Sequence, residues 1–210
     1  SIHTPANTAS VIEGQSLDIV AVASDNRGID HVTFHATGAL LGTETQAVSA
    51  TIAFKEYRRA WTAPTLDAGE DDRAVVLKAT VYDTAATPNS AYHEVTVTVV
   101  PDHAPTIALL SPSGTTSIYA GQNVQYKLLL RDDVALAELT AKYVPAGTPF
   151  LTQALSATTS SEVQVTATPA TAGTHEIDFT LTDSSDQSAT IRATILVLAD
   201  LEAPVCQITS

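Results

Sequence analysis

From Ser16 to Ala23 apolar and polar residues alternate, with Leu17, Ile19, Ala21 and Ala23 on one side and Ser16 and Asp18 among those on the other. Successive side chains of a strand point to opposite faces, so this period of two predicts a half-buried β-strand. The pattern returns in Val124, Tyr126, Leu128 and Leu130, in Leu77, Ala79 and Val81, and in Ile177, Phe179 and Leu181. Between the last three, Glu176, Asp178 and Thr180 are expected to face water. Residues 93–100 place Val95, Val97 and Val99 inward and Thr96 and Thr98 outward. One segment resists, since 134–143 has apolar residues at helical spacing and good helix formers.

That segment is settled by a repeat. Gly14 and Gln15 fall on Gly121 and Gln122, 107 positions later, and the same shift superimposes Leu17 on Val124, Ile19 on Tyr126, Asp25 on Asp132, Ile29 on Leu136 and Val32 on Leu139. The partner of 134–143 is GIDHVTFHAT, residues 28–37, which alternates as a strand does, so both are read as strands. The block ending at Asp83 aligns with the block ending at Asp183, 100 positions on, so the first copy has the longer middle loops. The copy ends match as well, PDHAPTI at 101–107 recurring as ADLEAPVCQI at 199–208.

Turn signals such as EGQ, DNRG and TAATPNS break the chain every 8–12 residues and leave no room for helical crossovers. The expected fold class is therefore all-β: two tandem β-sandwiches in an elongated arrangement, each of about seven strands in two sheets. The expected divisions are 1–102, 103–200, and 201–210 as the first strand of a third, truncated repeat. Pro101 and Pro105 bracket the step between copies, and proline fixes φ and removes a donor, so a short, semi-rigid junction is expected.

In the first copy residues 23–45, ASDNRGIDHVTFHATGALLGTET, followed by WTAPTLDAG, LKATVYD and VTVTVV, resemble the bacterial immunoglobulin-like modules. The resemblance implies that the fold class is all-β with two tandem immunoglobulin-like β-sandwiches. It is patchier in the second copy, which lacks LLGT and the tryptophan. The resemblance implies modules strung in arrays on bacterial surfaces as stalks or adhesive segments, or beside secreted hydrolases, and large proteins of this kind on conjugative plasmids.

Composition narrows the classes. The chain has 210 residues and a formal net charge of −13, from six basic against thirteen acidic residues in 1–102 and four against ten beyond. Nucleic acid is disfavoured as a partner, because phosphate binding needs clustered Lys and Arg. Apolar runs such as 19–23 and 195–199 fall far short of the roughly twenty residues of a spanning helix, so no membrane insertion by this chain is expected. The single cysteine, Cys206, allows no intrachain disulfide. Because it starts and stops in mid-pattern, the chain is read as part of a longer one.

No catalytic, cofactor or metal residue is nominated. The histidines (His3, His31, His35, His93, His103, His175) stand in no recognisable motif, and GxSxG, CxxC, HExxH and phosphate loops are missing. His31 and His35 share a strand face, but four strand residues span ~13 Å, too far for one zinc ion. With Val32 and Phe34 turned to the core, both histidines are expected to be solvated. For calcium the candidates are Asp102 at the junction, Asp25 with Asn26, Asp132 with Asp133, and Glu70, Asp71 and Asp72. The preferred reading makes these acids turn residues bonding their own backbone.

Three roles are weighed. The first is a non-catalytic structural or adhesive segment of a large bacterial cell-surface protein, extracellular or secreted, meeting a protein or glycan ligand on a cell surface and flanked by neighbouring Ig-like repeats of its own chain. Conjugation-associated contact is part of that reading. The alternative is a carbohydrate-binding or spacer module of a secreted hydrolase, whose aromatic platform would come from Trp61, Tyr57, Tyr92 or Tyr143; Trp61 itself is read first as a core anchor. The third is a recognition module using loops, with residues 66–74 as the most exposed-looking stretch.

Overall fold

The computed structural model describes residues 1–45, 54–145 and 147–202. The chain divides into two compact units, Ser1–Pro101 and Asp102–Ser210. The boundary falls one residue before the expected one, because the Asp102 carbonyl accepts a hydrogen bond from Gln187 Nε2 at 3.1 Å and so joins the second unit. The expected third-repeat strand lies mostly outside the described residues.

The first unit runs β1 (Ile2–Thr4), β2 (Ser10–Ile12), β3 (Ser16–Ala23), β4 (Ile29–Ala36), β5 (Ala39–Thr45), β6 (Lys55–Thr62), β7 (Arg73–Asp83) and β8 (Ser90–Val100). The second repeats it with β9 (Thr106–Ser111), β10 (Thr116–Tyr119), β11 (Val124–Arg131), β12 (Leu136–Val144), β13 (Leu151–Ala154), β14 (Ser160–Ala167), β15 (Gly173–Asp183) and β16 (Ser188–Leu198). Each unit has a three-stranded sheet, β1-β3-β6 or β14-β11-β9, and a five-stranded sheet, β2-β8-β7-β4-β5 or β10-β16-β15-β12-β13.

Among the described residues each unit has eight strands where about seven were expected, because the first strand of each copy is split between the sheets. In the first unit β1 pairs antiparallel with β3, and after Pro5 the chain crosses to run parallel with β8 as β2. In the second, Pro112 separates β9 from β10, which pairs parallel with β16. Proline offers no N–H to continue a ladder, so the pairing stops there and the chain changes sheet.

The alternating positions fill two separate cores. Phe34, Leu77, Val97 and Val99 are fully buried in the first, with Ile19 opposite them on the smaller sheet. Leu128, Leu139, Ile177, Phe179, Leu181 and Ile195 are fully buried in the second. Each contributes on the order of 1.5–3 kcal/mol by leaving water. The helix-like spacing of 134–143 also has its cause. The β12–β15 register slips between Leu136 and Glu138, and this bulge turns both Leu136 and Leu139 inward although they are three residues apart. At the β4–β5 corner Thr37 and Gly38 both take positive φ, 46° and 85°, the geometry of a two-residue type I′ hairpin.

Phe179→Ala is expected to lower stability by about 3–5 kcal/mol, through lost transfer energy and the cavity left behind. Leu198→Ala, on an exposed position, is expected within about ±0.5 kcal/mol of the parent. Equilibrium urea unfolding of both variants checks the contrast.

Candidate functional site

The outward positions of the five-stranded sheet of the first unit bring aromatic and charged groups together. On β4, His31, Thr33 and His35 alternate with the buried Val32 and Phe34. On β7 the outward set is Lys78, Thr80 and Tyr82, and on β8 it is Tyr92 and Glu94. Register makes His31 the neighbour of Tyr82, Thr80 of Tyr92, and Lys78 of Glu94. The His31 and Tyr82 rings stack with centroids 4.4 Å apart, and His31 Nδ1 lies 2.7 Å from Asp30 Oδ2. Lys78 Nζ lies 3.9 Å from the centre of the Tyr92 ring and 3.1 Å from Glu94 Oε1. Tyr92 is 64% exposed, and a groove of about 520 Å³ runs past His35, Lys78, Tyr82, Ser90, Tyr92 and Glu94. His35 Nδ1 in this groove, and Thr33 Oγ1 on the same strand face, are buried without a hydrogen-bond partner. Such a face has the parts for stacking against a ring and for hydrogen bonding around it.

His31 and His35 are therefore only half-exposed, not freely solvated as expected, because Tyr82 and Lys78 of the adjoining strand cover them. The other sugar-platform candidates are committed elsewhere. Trp61 and Tyr57 are 5% and 1% exposed in the first core, and burial, with the Glu44 charge, raises the Tyr57 hydroxyl pKa. Tyr143 is half-buried against Phe150, 4.8 Å between centroids. Tyr82 and Lys78 were not singled out from the sequence, although the outward parity of β7 marks both. Cys206 lies outside the described residues.

Of the acidic candidates, Asp25 and Asp132 cap their own turns. Asp25 Oδ1 accepts the Arg27 and Gly28 N–H groups at 2.7 and 3.1 Å, and Asp132 Oδ2 accepts that of Val134 at 3.0 Å. Glu70 pairs with Arg73, whose guanidinium also reaches Asp67 Oδ2 at 2.9 Å and the Thr65 carbonyl at 3.3 Å. Leu66 N–H donates to Glu13 Oε2 at 2.7 Å. Residues 66–74 are thus tied down at both ends and present Asp67–Gly69, Asp71–Asp72 and Ala74 as exposed. Among the described residues no three His, Cys, Asp or Glu side chains gather around one metal position.

The same loop in the two units is wired differently. In the first, Asp83 Oδ1 accepts the N–H groups of Ala85 and Asn89, and Asn89 Nδ2 donates to Asp83 Oδ2 at 2.6 Å. The Asn89 side chain, assisted by backbone donors and the Arg27 charge, lowers the Asp83 pKa. In the second, Asp183 Oδ1 accepts from Ser185 and Gln187 N–H, both at 2.8 Å, but Gln187 Nε2 goes to the Asp102 carbonyl. Asp183 Oδ2 is left buried without a partner. Nearby, burial raises the Asp102 pKa, aided by Asp133 and Asp183 against a lowering bond to Ser185. Burial acts against Asp133 too, but His103, 2.9 Å from its Oδ2, holds it below its ordinary value.

The family model described as bacterial Ig domain matches residues 1–99. No curated protein matches the chain. Among solved structures, the fibronectin(III)-like modules of Clostridium thermocellum CbhA align at 18% identity over 99% of each chain, with a TM-score of 0.39. A chimeric titin Z1Z2 aligns at 16% identity over 95% of this chain and 97% of that one, with a TM-score of 0.44. The D00-D0 domain of intimin aligns at 17% over 94% and 98%, with a TM-score of 0.31.

Two variants test the loop electrostatics with opposite signs. Asp83 has a lowered folded-state pKa, so its contribution is present at neutral pH and lost as pH falls through that pKa. Asn89→Ala should lower the melting temperature at pH 7, with the deficit shrinking on acidification. Asp102 has a raised pKa, so its neutral form favours folding and that contribution is lost as pH rises through it. Asp102→Asn should raise the melting temperature at pH 7 and converge on the parent in acid. Differential scanning calorimetry across pH 3–8 reads both.

Proposed function

Taking residues 1–99 as a bacterial Ig domain, we propose that the chain is a non-catalytic structural or adhesive segment of a large bacterial cell-surface protein, placed outside the cell. The observation that carries this reading is duplication. Among the described residues one sandwich, with the same eight strands in the same sheet order, is built twice in tandem and joined through Pro101 to Pro105. A repeated module with its own core adds length without adding chemistry, since each copy needs only its neighbour in the chain and nothing from a substrate. The even acidic charge and the Thr-rich outward faces of β8 and β15 suit a surface that stays soluble when displayed in many copies. Its partner in this reading is a protein or glycan on another surface.

A second reading, binding of a carbohydrate, is favoured by one observation, the exposed Tyr92 ring in the groove bordered by Lys78 and Glu94. Exposed tyrosines stack on sugar rings while adjacent charged groups bond hydroxyls.

Small-angle X-ray scattering tests the first reading. A compact globule of this length would have a radius of gyration of about 17 Å. A tandem built to project should exceed that clearly, and a value at the globular figure would contradict it. For the second reading, Tyr92→Ala should abolish binding on a glycan array while leaving the melting temperature within a few degrees of the parent. Unchanged binding, or none in the parent, sets the carbohydrate reading aside.

A further inference from the structure

The two copies treat the same free edge in opposite ways. β6 and β14 each end the smaller sheet of their unit. The 107-residue shift carries Val20 to Lys127 and Ile19 to Tyr126, and the strand registers then make Arg58 the counterpart of Gln164 and Arg59 that of Val165. In the first unit the edge is guarded. Glu44 Oε2 accepts the outward-turned Arg58 N–H at 2.6 Å. Arg59, on the side of the strand that carries the buried Tyr57 and Trp61, sends Nη2 to the Leu41 carbonyl at 2.6 Å. Gly42 makes room for it, since a Cβ there would collide with the guanidinium. Occupied edge groups and a charge aimed inward from an edge strand keep another strand from joining.

β14 has neither device. Val165 stands in the place of Arg59 and is buried, and Glu162, the strand's single charged residue, is held at 2.6 Å by Lys127 of its own sheet. The register with β11 runs unbroken from Ser160 to Ala167. Among the described residues no other strand and no side chain reaches the outer main-chain groups of Glu162, Gln164 or Thr166. The remaining edges of this unit are shorter, four residues in β10 and β13 and six in β9, which ends against Pro112.

We propose that β14 pairs antiparallel with β14 of a second copy of the chain, about a twofold axis at Gln164, so that two three-stranded sheets become one of six. The occupant follows from the strand's own sequence. A twofold contact needs a surface complementary to itself, residue i meeting j and j meeting i. About Gln164 the strand nearly mirrors itself. Val163 meets Val165 on the core side, Ser161 meets Ala167, and Glu162 meets Thr166 on the outer side, so the one charge faces a neutral hydroxyl and no like charges oppose. The same mirror about Arg58 in β6 would set two arginines face to face. Main-chain hydrogen bonds supply the affinity, as in other strand additions. The two Gln164 residues exchange both N–H···O bonds, which puts their Cα atoms ~5.5 Å apart. That lies inside the roughly 4.4–6.8 Å a disulfide bridges.

The test uses the full chain carrying Cys206→Ser, so that an introduced thiol is the only one. Gln164→Cys in that background, treated with glutathione disulfide, should give a covalent dimer and nothing larger, because a twofold contact closes on itself. The two introduced thiols lose two electrons and two protons to the oxidant, which leaves as two glutathione thiols. Gln125→Cys, exposed on the same sheet face one strand in from the edge, should stay monomeric. Sedimentation equilibrium of the unsubstituted chain should give a mass that rises with concentration to twice the monomer. Gln164→Arg, which restores the residue type of the first unit, should hold the chain monomeric, and so should Gln164→Glu. An equimolar mixture of those two should dimerise again, a rescue that no folding defect produces. The proposal is overturned by an unsubstituted chain monomeric at every concentration, by a dimer indifferent to Gln164→Arg, by a mixture that stays monomeric, or by Gln125→Cys linking as fast as Gln164→Cys.

Discussion

Everything in this molecule depends on the facing of two sheets across a core fed from alternate positions only. A strand can give one side to that core and must give the other to water, so β7 and β15 carry their large apolar residues two apart and their polar ones between. Leu77 and Ala79 in one unit, and Ile177, Phe179 and Leu181 in the other, are the central contributors, and all are essentially out of contact with solvent. The split first strand edges both sheets on one side, one half on each. Proline at the crossing fits because the segment between the halves has no ladder to join.

This constraint explains how much of the fold was legible in the residues. The pleat imposes its period on the sequence, so the strands, the duplication and most core positions can be read from alternation alone. Leu136 and Leu139 mislead because a bulge inserts one residue into the period, and only the pairing with β15 reveals it. The division of the first strand was not legible either, since Ile2–Thr4 and Ser10–Ile12 are too short to show alternation.

The candidate faces were less legible for a related reason. That Tyr92 would be exposed and Trp61 buried follows from strand parity, but the stacking of His31 on Tyr82 depends on a register shift between Ile29 and His31. The loops are harder still. Asn89, six residues after Asp83, and Gln187, four after Asp183, both donate a main-chain N–H to their aspartate, yet the Asn89 side chain returns to Asp83 while that of Gln187 goes to the Asp102 carbonyl. Duplication preserved the frame and left each copy free to vary the chemistry at its ends.

The central claim is that one sandwich has been built twice, each copy resting on its own core. Calorimetric unfolding of the whole chain alongside its separate pieces 1–101 and 102–210 tests it most directly. The account predicts that each piece folds alone and that the whole chain's melting profile is reproduced by the two together. A piece that stays unfolded by itself, while the whole chain melts in one cooperative step, would contradict it.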